Sequence, residues 1–254
     1  MNHSTITDEQ AAAIEAMLAR MPDLPSGIGS KENACSIAAI NLALTGKLTD
    51  VIPGCMSIVI AKWIIKVQDS APAELRNSER WRRLLPLAAG TGRDKESGRA
   101  SVAMDWMWSV VLPQLQPLAD RHGFGESWRK MCDLRTANAA DAAYADANAY
   151  ANANAADAAA DAAANAYAYA YAAADAATYA DAAADAAYSA TYADADAAYS
   201  ATYAANAANA ANAAHFAANA AAYAARSAAA DFWHFVDPCG CLERMINLPE
   251  GDRK

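Results

Sequence analysis

An all-α protein is what the sequence predicts, on three observations. Residues 136–230 hold 56 alanines in 95 positions, with no Leu, Ile, Val, Met, Lys, Gly or Pro. Elsewhere the apolar residues recur at helical spacing, and the prolines fall where helices start or stop. The expected architecture is a helical amino-terminal domain (1–135), an alanine-rich array of two or more packed long helices (136–230) and a short carboxy-terminal capping segment (231–254).

The elements follow in order. Thr7, with Asp8, Glu9 and Gln10 behind it, forms a capping box for a helix over 11–20, and Pro22 follows its end. Ser30 opens a second helix with Ile37, Ile40 and Leu44 on one face, and Gly46 suits its C′ position. Pro53 starts a third through MSIVIAKWIIKVQ, and Pro72 a fourth through ELRNSERWRRLL. A glycine-rich surface loop over 89–99 then leads to a helix from Ala100 to Val111, where Met104, Trp108 and Val111 share a face. Ser127 caps a last conventional helix, WRKMCDLR, expected to run straight into the alanines. In the closing segment Trp233 and Phe235 are the expected anchors, with Pro238 and Gly240 in a turn before a short helix holding Leu242, Met245 and Ile246.

Alanine has the best helix propensity and Asp, Asn and Tyr are only a few tenths of a kcal/mol worse, so the tract is expected to be helical. Tyr188, Tyr192, Tyr199 and Tyr203 lie within two copies of an 11-residue repeat, YSATYADADAA and YSATYAANAAN. Eleven residues make three turns at about 3.67 residues per turn, so such a stripe keeps to one face. Asp181 and Asp185 extend it backwards, and Asp194 and Asp196 lie inside it. The same spacing occurs at Asp146, Tyr150, Asp157 and Asp161, but about 100° around the helix, so the register breaks between Ala174 and Asp181. A reversal at that break is expected, because a single helix would be about 140 Å long.

Charge is segregated along the chain. The tract carries nine Asp against Arg226, whereas residues 1–135 carry fifteen acidic and sixteen basic side chains. That surface disfavours direct contact with nucleic acid or anionic membrane and attracts basic partners. No apolar run is long enough to span a bilayer, the best stretch (52–67) being interrupted by Pro53, Lys62 and Lys66. With no basic and apolar leader at the amino terminus and five irregularly spaced cysteines, reduced thiols and a cytoplasmic location are expected.

Candidate chemistry is sparse. Cys239, Cys241 and His234 bring zinc to mind, but a second ligand pair at the required spacing is missing, so no metal and no cofactor are expected. GTGRDKESGR lacks the strand and the Gly-Lys-Ser/Thr close of a phosphate loop, which leaves Arg93 and Arg99 without a role. Regularly spaced, solvated carboxylates such as Asp157 with Asp161 share one environment and so lack the split pKa values of an acid-base pair. His122 and His215 have no catalytic frame around them, and an enzyme is not expected. Arg76, Arg80, Arg82 and Arg83, interleaved with Glu74 and Glu79, read as a solvated face of intrahelical pairs.

The stretches NLALTGKLTDVIPGCMSIVIAKWIIKVQD, LLPLAAGTGRD and FWHFVDPCGCLERM, flanking an Ala-Tyr-Asp middle, resemble uncharacterised alanine-rich proteins of tailed phages and prophages. That resemblance implies an accessory gene and a bacterial host, and carries no catalytic residue. A second resemblance, to type I fish antifreeze helices, rests on Thr191 and Thr202 at the 11-residue spacing, with Thr178 out of step. The leading expectation is a non-enzymatic protein that binds a protein partner, basic or nucleic-acid-binding, through Tyr188, Tyr192, Tyr199, Tyr203, Asp181, Asp185, Asp194 and Asp196. A structural spacer or homo-oligomerisation module is the alternative, and ice binding the third.

Overall fold

The computed structural model describes residues 6–121, 123–136, 138, 139, 142, 143, 145, 146 and 232–248. Among them the secondary structure is helical: α1 (Asp8–Arg20), α2 (Ser36–Thr45), α3 (Ile58–Ser70), α4 (Ala73–Arg76), α5 (Glu79–Ala89) and α6 (Glu96–Trp106) come first. A π-helical turn (Met107–Val111) and a 3-10 turn (Leu112–Leu115) lead into α7 (Gln116–Arg121) and α8 (Gly125–Leu134), and the chain is described again at α9 (Phe232–Val236) and α10 (Pro238–Ile246).

Local chemistry sets most boundaries. The Thr7 hydroxyl accepts from the Gln10 amide at 3.2 Å while the Gln10 side chain accepts from the Thr7 amide at 2.9 Å, completing the capping box of α1. Gly46 ends α2 at φ 71°, a conformation that favours glycine. Two expected starts move, and a third expected helix begins in place after Pro72 but breaks. Ser30 closes a tight turn instead, accepting from the amides of Glu32 and Asn33, and α2 begins at Ser36 under a cap from the Cys35 sulfur. Pro53 accepts only a turn hydrogen bond from Met56, and α3 starts at Ile58 with Ser57 as its cap. The helix expected from Pro72 breaks at Asn77, whose side-chain oxygen accepts from Leu24 and Arg82, and Ser78 then caps α5. At α2, α3 and α5 a Ser or Cys side chain one residue before the helix accepts from an amide of its first turn.

The segment expected as a surface loop over 89–99 is in its second half the start of α6. Glu96 and Arg99 on its first turn are only 5% and 2% exposed. The Glu96 carboxylate accepts from Ser57 Oγ at 2.6 Å and from the amides of Ile58 and Val59 at 2.8 and 3.1 Å, so it docks on the N-terminus of α3, where the helix dipole favours an anion. Arg99 donates to the carbonyls of Thr91 and Gly92 at 2.7 and 2.9 Å and, at 3.4 Å, to that of Met245.

The core is continuous from α1 to α10. Trp63 at its centre stacks on Trp81 at a centroid distance of 6.2 Å and meets Trp106 edge-on at 5.6 Å. Of the face predicted over 100–111, Trp108 and Val111, now in the π-helical turn, are buried, and Met104 on α6 only partly so. α10 packs against α3, α5 and α6, and α9 against the 3-10 turn, so the closing segment is part of the same core as the first helices. Its anchors are Phe232 and Trp233, whereas Phe235, expected to anchor, is 59% exposed. Pro238 and Gly240 form no turn. They lie in the first turn of α10, capped by Asp237. Among the described residues no helix is long and apolar enough to cross a membrane.

Candidate functional site: the two ends of the alanine-rich tract

At the exit, α8 does not continue into the alanines. Ser127 gives it no cap, its hydroxyl donating to the Phe124 carbonyl instead, and the helix stops at Arg135 in a left-handed conformation, φ 52°. Thr136 then accepts from the Ala139 amide at 3.4 Å, and residues 138, 139, 142, 143, 145 and 146 are helical. Ala139 and Ala143 are buried in the core while 138, 142, 145 and 146 are exposed, so the first turns of the tract lay an i, i+4 alanine face on the body.

At the return, the second left-handed residue is Asp237, φ 40°. These two are the non-glycine residues with positive φ among the described ones, and they flank the tract. A left-handed backbone in a residue with a Cβ persists only where its surroundings hold it. For Asp237 the hold is Arg80, whose Nη1 lies 2.7 Å from Oδ1, while Oδ1 also accepts from the Gly240 amide at 3.1 Å. A Cβ at position 240 would collide with that carboxylate, which accounts for a glycine inside the helix. Arg80 also grips Glu243 in a two-point contact, at 3.0 Å from Nε and 2.8 Å from Nη2, an arrangement that suits the guanidinium fork.

The two ends meet on α6. Asp105 Oδ1 lies 3.6 Å from Arg135 at the exit, and Asp105 Oδ2 lies 3.1 Å from Arg244 on α10. Ser109 completes the group, donating to Asp105 at 2.9 Å and accepting from Arg135 at 2.8 Å. The Ser109 hydrogen bond, followed by Arg244 and Arg135, holds the Asp105 carboxyl below the usual range. The adjoining Trp106 donates its indole N–H to the Val236 carbonyl at 2.6 Å. Neighbouring residues on one helix thus hold Arg135, just before residues 136–230, and Val236 and Arg244, just after them.

Arg83 stays exposed, but the other arginines of α4 and α5 do not form the intrahelical pairs expected from their spacing. Arg80 reaches across to α10, Arg82 donates to the carbonyls of Leu18 and Met21 at the end of α1 at 2.7 and 2.9 Å, and Arg76 donates to the Ala71 carbonyl at 2.9 Å. Cys239 and Cys241 are buried, and desolvation pushes the Cys239 thiol up to about 11 and that of Cys241 higher still. Such thiols are poor nucleophiles at neutral pH. No three His, Cys, Asp or Glu side chains among the described residues are arranged to hold a metal ion. Beside Cys35 is a cavity of about 50 Å³ lined by Ile28, Ile37, Asp50, Ile65 and Asp69, and an open recess of about 290 Å³ lies beside Met17, Arg20, Met21, Pro22, Lys31 and Glu32, at the lower end of the roughly 300–1,000 Å³ of small-molecule pockets.

Tyr188, Tyr192, Tyr199, Tyr203, Asp181, Asp185, Asp194 and Asp196 lie outside the described residues, as do His122, His215 and the register break at 174–181. Sequence reasoning missed Asp105, Arg135 and Arg244. Only the Asp237-Pro238 pair, a cap followed by an N1 proline, carried a local signal for the return. No family model, curated protein or solved structure matches the chain.

Proposed function

We propose that this chain is a non-enzymatic interaction protein of phage or prophage type, whose helical body fastens both ends of an acidic, tyrosine-bearing tract and presents it to a basic protein partner. The observation that carries this reading is the shared anchorage, with Asp105 and Trp106 holding the exit and the return on one helix. A body that grips both ends of a segment sets where that segment starts and finishes, which lowers the entropy lost when a partner orders it.

Composition supports the kind of partner. Nine Asp against Arg226 give the tract its negative charge, and all eleven tyrosines of the chain lie in it. Tyrosine supplies contact area at a low rotamer cost, and the carboxylates attract cationic surfaces over about a Debye length, 8 Å at physiological salt. A nucleic-acid-binding protein, basic where it meets phosphate, fits that surface.

The test is affinity purification from the native host at low and high salt, with Tyr188, Tyr192, Tyr199 and Tyr203 replaced together by Ala in a parallel sample. Loss of a basic partner in the variant, and in the parent at high salt, is the expected result. Identical capture by parent and variant overturns the tyrosine surface. Concentration-dependent self-association without a host partner would favour the spacer or oligomerisation module.

A further inference from the structure

Residues 232–248 are built like a docked helical ligand. They bring their own folding signals: Asp237 caps α10, Pro238 occupies its first position, and Gly240 makes room for the capping carboxylate. Phe232, Trp233, Val236, Leu242 and Met245 form a buried apolar face. The surface that receives them, on α3, α5, α6 and the 3-10 turn, comes from the amino-terminal body.

That receiving surface reads the segment in two ways. In the interior, Trp106 and Arg99 donate to the carbonyls of Val236 and Met245, and nearer the surface Lys95 donates to that of Leu248 at 3.0 Å. At the rim, Arg80 takes Asp237 and Glu243, while Asp105 takes Arg244. The rim presents a cation to two acids and an acid to one cation, so it selects both the register and the direction of the helix laid into it. A covalent tract of 95 residues joins ligand to surface, and no side-chain contact described above requires the two to belong to one molecule.

We propose that this groove takes residues 232–248 as a separable ligand, and that the same segment of a second copy of the chain fills it when the resident one is released. The charge pattern argues for that occupant over an arbitrary amphipathic helix, since both acids and the arginine must fall at the spacing of 237, 243 and 244. A tethered segment competes at an effective concentration of up to about millimolar, so exchange is visible once the tether is cut.

The experiment uses the full chain with a protease site inserted beside Arg226, the one Lys or Arg between 136 and 231. After cleavage, fragment 227–254 is expected to co-elute with the body in native buffer. Unfolding the cut protein in urea and refolding it with an excess of labelled 232–248 peptide is expected to place labelled peptide in the groove in proportion to its share, whereas a peptide with the three charges reversed is excluded. Arg80→Ala is expected to weaken retention about twofold to fivefold, the range for losing exposed ion pairs. Elution of 227–254 on its own in native buffer, or refolded body that takes up charge-reversed peptide equally, overturns the proposal. Should the cut protein fail to refold, co-expression of 1–226 and 227–254 as separate chains decides: a soluble complex supports the proposal and an insoluble body refutes it.

Discussion

The inner and outer grips on residues 232–248 differ in what they touch. Inside, Arg99 and Trp106, both nearly devoid of solvent contact, hold main-chain carbonyls of Met245 and Val236. Outside, Arg80 and Asp105, each with close to half its side chain exposed, hold the side chains of Asp237, Glu243 and Arg244. A carbonyl in a dry interior costs much to leave unpaired, whereas an ion pair in water contributes little. Interior contacts therefore supply strength without distinguishing one sequence from another. The exposed ones supply identity at little gain in stability.

The largest effect that tests this division is Arg99→Met. Its loss removes the donor to Thr91, Gly92 and Met245 together, and the orphaned carbonyls should lower stability by about 3–5 kcal/mol. Urea denaturation followed by tryptophan fluorescence measures it. Lysine at 99 should rescue only a small part, since one ammonium cannot span the fork that reaches three carbonyls. A loss below about 1 kcal/mol would erase the contrast between inner and outer grips.

Next comes a pair of equally buried indoles. Trp106→Phe strands the Val236 carbonyl and should cost about 2–4 kcal/mol, the lost partner adding to the lost volume. Trp63→Phe loses volume too, yet the Trp63 N–H is buried without a hydrogen-bond partner, so its removal relieves a desolvated donor. The Trp63 variant should be the more stable of the two by about 1–2 kcal/mol in the same urea titration. Equal losses would mean that packing, and not the carbonyl, is what Trp106 contributes.

The residues behind these effects were unevenly legible in the sequence. Thr7 with Gln10, and Gly46, announced themselves because capping and left-handed turns are local chemistry. The start of α3 was misplaced because Pro53 was preferred to the local cap Ser57, and the Glu96 carboxylate that completes that end lies 38 residues from Ile58, where no local pattern reports it. Arg99 looked idle because its partners are carbonyls, which every residue has. Arg80 looked like part of an intrahelical pair because Glu residues surround it, while its real partners are 157 and 163 positions on. Phe232 was passed over in favour of Phe235 because the register of α9 is fixed by the Trp106–Val236 hydrogen bond, a tertiary contact. The class of the fold was therefore readable, and the base of the tract was not.

A smaller effect concerns the outer grip alone. Arg80→Ala should lower global stability by less than about 1 kcal/mol, because the arginine is 42% exposed and water screens its pairs. The same substitution should release Asp237 from its left-handed cap, visible as faster amide exchange at Gly240, whose N–H that carboxylate accepts. A stability loss as large as that of Arg99→Met would place strength outside as well as inside.

The smallest expected effect is on acid stability, and it separates the grips by pH. Asp105 is held below the usual carboxylate range by the Ser109 hydroxyl, Arg244 and Arg135, and Glu243 by Arg80, with Arg83 adding to it. Both folded pKa values lie under the unfolded ones, so each group's contribution is complete above an ordinary carboxylate pKa of about 4 and is lost as pH falls through the depressed folded value. The indole of Trp106 does not titrate in that window. Acid should accordingly weaken the side-chain ion pairs at the rim while the carbonyl contacts persist, so that a cleaved chain still retains 227–254. Asp105→Asn should remove its share of the pH dependence, and the fluorescence-monitored stability of that variant should fall less steeply between pH 5 and pH 3 than that of the parent, a range set by the ordinary carboxylate values of about 4. An unchanged acid slope would show that Asp105 titrates alike in the folded and unfolded chain and does not join the exit of the tract to its return.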